Sequence, residues 1–265
     1  MKGHLHLTVS ADPAGRTYLR AQSFRAPLHL SKAHTDEGAL VVNIVNPTAG
    51  LFDGDEVEMC VKVEAGSRLV LTTPSAGRVY RSGTGRGAMV RQRMEVAPGS
   101  FAEFFPELFI PQAGARYHQQ TQLHVAEGGQ LLFCEWLAPG RVARGEVFAY
   151  EELQWDMDIV CGDQLIVRER FRLSPDDCSL AALRTAFPHS HYLGIFAIGW
   201  PEWPGAALDV LTGPSVYAGH GPLATGGGIV KVLCADNLSA RRTFQSLREI
   251  FYTALGRPAP NLHRI

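Results

Sequence analysis

Asp55, Glu135 and Glu169 are the side chains of this sequence whose type and position could carry chemistry. Each is an acid on the apolar parity of a two-residue alternation, where a charge is expensive to bury unless it is paired or used. Asp55 ends the Gly-rich turn Asn46-Pro-Thr-Ala-Gly-Leu-Phe-Asp-Gly-Asp55. From there Val57, Met59, Val61 and Val63 alternate with Glu56, Glu58, Cys60, Lys62 and Glu64. Glu135 shares parity with Leu131, Phe133 and Leu137. Glu169 shares parity with Leu165, Val167, Phe171 and Leu173, while Arg168, Arg170 and Arg172 take the opposite face. One such acid alone reads as a satisfied interior group. Three together point to a polar channel or site inside a layered β body. Carboxylate oxygens are hard, exchangeable ligands, suited to transient binding of a divalent metal rather than to tight trapping.

Other motifs carry less. His4-x-His6 and His189-x-His191 would each face one side of a strand and could share a metal. Neither has a Cys or an acid at ligand spacing along the sequence, which favours surface or internally satisfied histidines. Gly83-Thr-Gly-Arg-Gly87 lacks the Gly-Lys of a phosphate loop and the spacing of a dinucleotide fingerprint, and reads as a flexible hairpin tip. No Gly-x-Ser-x-Gly elbow supports acyl transfer. An enzymatic reading therefore rests on the carboxylates alone, as in the paired acids of polysaccharide hydrolases.

The elements that must position these acids are mostly strands. Val63-Glu-Ala-Gly-Ser-Arg-Leu69, Val96-Ala-Pro-Gly-Ser-Phe-Ala102 and Val125-Ala-Glu-Gly-Gly-Gln-Leu131 share one pattern: strand end, Gly turn, strand start. Their spacing of roughly thirty residues falls in the range of stacked repeats. Stacked hairpins or β-helix-like coils would bury a continuous core, and three unrelated hairpins with common turn chemistry remain the alternative. Leu131 to Leu137 is apolar on both parities and predicts a strand covered on both faces. Pro201 to Leu211 predicts a short helix. Asn237 to Leu255 predicts a longer one, capped by Asn237, striped by Leu238, Phe244, Leu247, Ile250, Phe251 and Leu255, and stopped by Gly256 and Pro258. Its polar side carries Arg241, Arg242, Gln245 and Arg248, an outer face on which a partner could dock.

The 265 residues, 46% hydrophobic, contain no linker or composition shift and predict a single domain over 1–265. A formal charge of −1 without a basic patch argues against nucleic acid and anionic membrane. The low charged fraction of 19% leans towards life in a complex. Cys60, Cys134, Cys161, Cys178 and Cys234 are odd in number and scattered, as expected of reduced thiols. With no secretory h-region and no run long enough to span a bilayer, the expectation is a soluble, cytoplasmic protein.

At this point a family resemblance covers nearly the whole chain in order. Asn46 to Asp55 resembles the NPxGGxxxGD signature of the urease accessory protein UreD (UreH) family. Leu71-Thr-Thr-Pro-Ser-Ala-Gly-Arg-Val-Tyr-Arg-Ser82 resembles its LTTxxAxKxYRS segment, and Phe105 to Arg116 its LPxxxIPFxxAR stretch. Gly140-Arg141 with Gly145-Glu146-x-Phe148 matches GRxxxGExF, and Arg248 with Gly256-Arg-Pro-Ala follows the family's last helix. The resemblance implies a mainly β, stacked-strand, β-helix-like body with about two α-helices in the C-terminal third. It implies no enzymatic activity, but a nickel metallochaperone scaffold acting with UreF and the GTPase UreG on the urease apoprotein. Nickel would be in transit, with no tightly bound cofactor. The family's acidic passage residues fall on Asp55, Glu135 and Glu169, which the resemblance expects to face a water-filled interior passage. Thr48-Ala49, Phe52-Asp53, Gly77 and the ending Asn261 to Ile265 depart from the family pattern. A diverged paralogue acting as a structural adaptor is the alternative those departures leave open, and a carboxylate-based hydrolase is the enzymatic one.

Overall fold

The alternation after Asp55 does form a strand, and its alternate residues Val57, Met59, Val61 and Val63 are buried while the residues between them are exposed or half-buried. The computed structural model describes residues 1–174, 182, 185 and 190–262. In chain order the strands are β1 (Lys2–Ala11), β2 (Thr17–Arg25), β3 (His29–Leu30), β4 (His34–Asp36), β5 (Ala39–Val45) and β6 (Glu56–Val63). There follow β7 (Arg68–Thr72), β8 (Gly77–Val79), β9 (Ala88–Val96), β10 (Phe101–Phe105), β11 (Phe109–Pro111) and β12 (Arg116–Val125). The last strands are β13 (Gln130–Leu137), β14 (Glu152–Cys161), β15 (Gln164–Leu173), β16 (His191–Ile198), β17 (Val216–Pro222) and β18 (Gly227–Cys234). Helix α1 (Gly205–Asp209) precedes β17, and α2 (Asn237–Ala254) follows β18.

Two sheets face one another. One runs β15-β14-β12-β9-β6-β1-β2, the other β17-β18-β16-β13-β10-β7-β5-β3. From β5 to β14 the path winds from sheet to sheet, so β6, β9, β12 and β14 are parallel neighbours, and so are β5, β7, β10 and β13. The shared sequence pattern is thus a coil turn, not a hairpin: each copy carries the chain from one sheet to the other. Gly66, Gly99 and Gly128 all sit at positive φ, near +70°, which a residue with a Cβ enters only at a cost. The turns also stack, with Ala97 N donating to Val63 O, Gly99 N to Gly128 O and Ala126 N to Val96 O, each at 2.9 Å.

A first core lies between the sheets, where Leu5, Val61, Met94 and Leu123 meet Leu69, Leu71, Leu131 and Phe133. A second lies under the last helix, where Leu132, Cys134 and Trp136 of β13 meet Phe244, Leu247 and Phe251. That is why β13 is buried on both faces, as its sequence predicts. The helix departs from expectation at its start. Asp236 is the N-cap and forms a capping box with Ser239, while Asn237 is already helical. Leu238 is 58% exposed and lies off the buried stripe.

Candidate functional site

Glu135 lies on the inner face of β13, 5% exposed, with Trp155 of β14 donating its indole N–H to Oε1 at 2.7 Å. Directly opposite on β16 stands Gly194. A Cβ there would come within 2.8 Å of Tyr192 Oη and 3.3 Å of Glu135 Oε2, so the glycine makes the room that the carboxyl group occupies. Burial pushes the Glu135 carboxyl up to about 7; the nearby Glu169 adds to the rise, and the Trp155 hydrogen bond and Lys231 oppose it. The phenols of Tyr117 and Tyr192 are likewise pushed up, by burial first and then by the Glu135 charge. Beside Glu135 is a cavity of about 180 Å³ between the sheets, lined by Asn46, Gln92, Tyr117, Gln119 and Trp155 among others.

A row of interior polar groups extends from it. Tyr117 Oη donates to Gln119 Oε1 at 2.7 Å, Gln119 Nε2 to Thr121 Oγ1 at 3.2 Å, and Thr121 Oγ1 reaches Gln92 at 3.5 Å. Gln119 and Thr121 share the inward parity of Leu123 and Val125, and that parity marks them in the sequence as surely as it marks the acids. Glu169, on the edge strand β15, is half-buried and forms an ion pair with Lys231 of β18 at 2.5 Å. The fold thus brings Glu135 and Glu169 into one electrostatic neighbourhood where the rims of the two sheets approach.

Asp55 is elsewhere. It is 4% exposed, with Oδ1 2.5 Å from the Met1 amino group and Oδ2 accepting the Phe52 N–H at 2.8 Å. The expectation that it faces water is corrected, since it is held by a turn and an amine rather than by solvent. Its neighbour Asp53 organises the Gly-rich loop, accepting from Ser82 Oγ, from the N–H groups of Gly83, Thr84 and Gly87 and from Thr84 Oγ1 at 2.6–3.1 Å. Those bonds, chiefly from the Ser82 and Thr84 side chains, hold its carboxyl well below the usual range. The segment expected as a flexible hairpin tip is therefore pinned.

The C-terminal helix divides its predicted outer face. Arg242 and Gln245 are exposed, and Arg241 is half-buried in a two-pronged contact with Glu107 at 2.9 and 3.1 Å. Arg248 is not on the outside. It points inward to Glu103 of β10, which is fully buried and also accepts from Tyr252 Oη at 2.6 Å. Glu103 shares parity with Phe101 and Phe105, a pattern identical to the one that singles out Glu135. In the family motif Gly140 to Phe148, Arg141 closes a loop on Glu146 at 2.5 Å, which also accepts Ala113 N–H at 3.0 Å. Among the histidines, His6 meets Glu58 across strands β1 and β6, next to Cys60. The ligand spacing missing along the sequence is supplied by parallel pairing. His189 and Cys178 lie outside the described residues.

No described helix is long and apolar enough to cross a membrane. The family model for "UreD urease accessory protein" matches residues 1–265. The curated UreD of Opitutus terrae is 36% identical over 262 residues, covering 96% of each chain. Those of Herpetosiphon aurantiacus and Dechloromonas aromatica are 31% and 32% identical, over 96% and 97% of this chain and 89% and 92% of theirs. These matches assign a role accessory to an enzyme rather than catalysis by this chain, and they set the hydrolase reading aside. With the motif order, the coil of parallel strands and matches spanning its whole length, this chain belongs to the UreD family of urease accessory proteins.

Proposed function

We propose that this protein helps deliver nickel to the urease active site as a non-catalytic scaffold, in a complex with UreF and the GTPase UreG on the urease apoprotein. Nickel is cargo in transit. The observation that carries this reading is an ionisable carboxylate, Glu135, buried between two sheets beside a mainly apolar cavity that Asn46, Gln92 and Gln119 also line, with Glu169 close enough to act on its charge. A carboxyl group that ionises near neutral pH can take up and release a divalent cation, and one or two oxygens hold it only weakly. Asp55, in the turn that leads into β6, serves this reading as a further acid.

The deciding measurement is nickel per urease site after maturation with wild-type or Glu135→Gln protein at equal occupancy of the complex. Lower nickel content and lower urease activation are expected with Glu135→Gln, and equal loading would reject the interior route. For Asp55→Ala, loss of the complex itself would mark Asp55 as a structural residue of its turn. In this reading the partner contacts Arg242 and Gln245, the exposed two of the four α2 residues expected to meet it. Their double alanine variant should weaken the UreF complex on size exclusion without moving the melting temperature. Unchanged binding would put the contact elsewhere.

A further inference from the structure

The outer face of the seven-stranded sheet holds a second group of metal-ligating side chains, far in chemistry from the interior acids. β1 and β6 run parallel, with His4 opposite Glu58 and His6 opposite Cys60. Both strands turn these residues away from the core, since Leu5 and Leu7 on β1 and Met59 and Val61 on β6 point inward. The result is an imidazole nitrogen, a carboxylate oxygen and a thiol sulfur, from His6, Glu58 and Cys60, all within 4.8 Å of one another. Modest side-chain rotation on an exposed face would draw them to the shorter spacing that ligand bonds of about 2.0–2.3 Å require.

Most other acids of this face sit on permanent cations, and Asp156, which also meets His118 at 2.8 Å, has Arg170 3.8 Å away. Glu64 pairs with Arg20, Glu95 with Lys62 and Arg93, and Asp158 with Arg168 and Arg170. These acids are neutralised by permanent cations. Glu58 has Arg91 as its cross-strand neighbour on β9, yet its carboxylate lies on His6 Nε2 at 3.1 Å. Imidazole is the one basic partner that can give up its proton and become a metal ligand near neutral pH. The His4 ring lies tilted at 35° to that of His6, with the centroids 4.8 Å apart and its own Nε2 2.8 Å from Ser23 Oγ, and offers a further nitrogen beside the group.

We propose that His6, Glu58 and Cys60 form a surface binding site for a single borderline-soft divalent cation of the zinc, nickel and cobalt class. A mixed nitrogen, oxygen and sulfur set selects such ions over magnesium and calcium, which take oxygen ligands. Three protein ligands leave a fourth position for water or for a donor from another molecule, so a bound ion is exchangeable. Binding displaces the Cys60 thiol proton to solvent and forms the metal–sulfur bond, with no change of oxidation state. This site stands whether or not the interior carboxylates carry nickel.

The test uses the purified full chain without a histidine tag, titrated with Co²⁺ and followed by absorption and equilibrium dialysis. The wild type should show a thiolate-to-cobalt charge-transfer band that saturates at one equivalent. Cys60→Ser should abolish the band, while Cys161→Ser and Cys178→Ser retain it. His6→Ala and Glu58→Gln should each weaken Co²⁺ binding by about tenfold or more, at least the loss that removing an outer-shell partner brings to a metal site. Circular dichroism melting checks that each variant is folded, and His6→Gln replaces His6→Ala if the latter is not. A wild type without the band, a band that survives Cys60→Ser, or binding unmoved by both the His6 and Glu58 changes would overturn the site and leave a cross-strand ion pair beside an ordinary thiol.

Discussion

Arg248 reaches from the last helix through the second core to Glu103, with Nε 2.5 Å from Oε1 and Nη2 2.9 Å from Oε2. The guanidinium also lies over the rings of Phe105 and Tyr252, at 5.4 and 4.8 Å from their centroids. With the apolar packing of the second core and the Arg241–Glu107 pair, this contact fastens the helical part of the chain to the coil. Arg248→Ala leaves a fully buried carboxylate without its cation, so a loss of about 3–5 kcal/mol is expected. Arg241→Ala breaks a pair whose side chains are 38% and 21% exposed and should cost no more than about 1 kcal/mol. Urea denaturation of the two variants compares them directly, and equal losses would contradict the difference in burial.

Glu135 gives stability a definite pH dependence. Its carboxyl rises from 4.5 to about 7 on folding, so the folded chain binds that proton more tightly than the unfolded one. The associated stabilisation is fully present below the unfolded value and is lost as pH rises through the folded value, a change of roughly 3 kcal/mol. Glu135→Gln should therefore flatten the fall in urea midpoint between about pH 4.5 and about pH 8. An identical slope in wild type and variant would show that the carboxyl is not shifted.

Gly194 tests the room around that carboxyl. Gly194→Ala drives a methyl group into Tyr192 Oη and Glu135 Oε2 and should destabilise the protein by about 1–3 kcal/mol, as overpacking does. Gly219→Ala on β17, where a Cβ meets nothing within 4 Å, is the matched control. A tolerated Gly194→Ala with normal melting would mean the pocket is looser than described.

Asp53 binds its loop through an ionised group. Because its carboxyl is depressed on folding, the stabilisation it brings is present above the unfolded value and disappears as pH falls through the folded one. Asp53→Ala should raise hydrogen exchange at the amides of Gly83, Thr84 and Gly87 while leaving the strands protected. Exchange rates that match wild type would assign the loop's order to other contacts.

Two-residue periodicity makes the strands and the inward aim of Glu135 legible in the sequence alone, because parity on a strand fixes the face of a side chain. The same parity turns Gln119 and Thr121 inward, so their burial too is written in the alternation, whereas β10 is buried on both faces and its parity does not say that Glu103 meets the last helix. What parity does not supply is the partner. Asp55 and Glu135 share one signature, yet one ends on an amine in a turn and the other on an indole beside a cavity. Partners come from strands distant in sequence, and the same is true of Glu58 and Cys60 beside His6. The choice between hairpin and coil depends on whether β6 pairs with β7, a long-range fact that local turn chemistry leaves open. The N-cap lies one residue earlier than the sequence predicts because Asp236 can reach the Ser239 amide from an extended backbone.

Stacked turns have one more consequence. A coil of parallel strands presents the same open hydrogen-bonding edge at each end, and identical edges invite end-to-end growth into filaments. Here the ends are reversed in direction: β2 lies antiparallel on β1, β15 on β14, and β16 on β13. The outermost strands β2 and β15 are rich in charged side chains, with Arg20 paired to Glu64, Arg168 and Arg170 to Asp158 and Arg172 to Glu152, and such charged edges disfavour the addition of another strand. The parallel winding thus ends, at each of these described edges, on a strand that runs the other way.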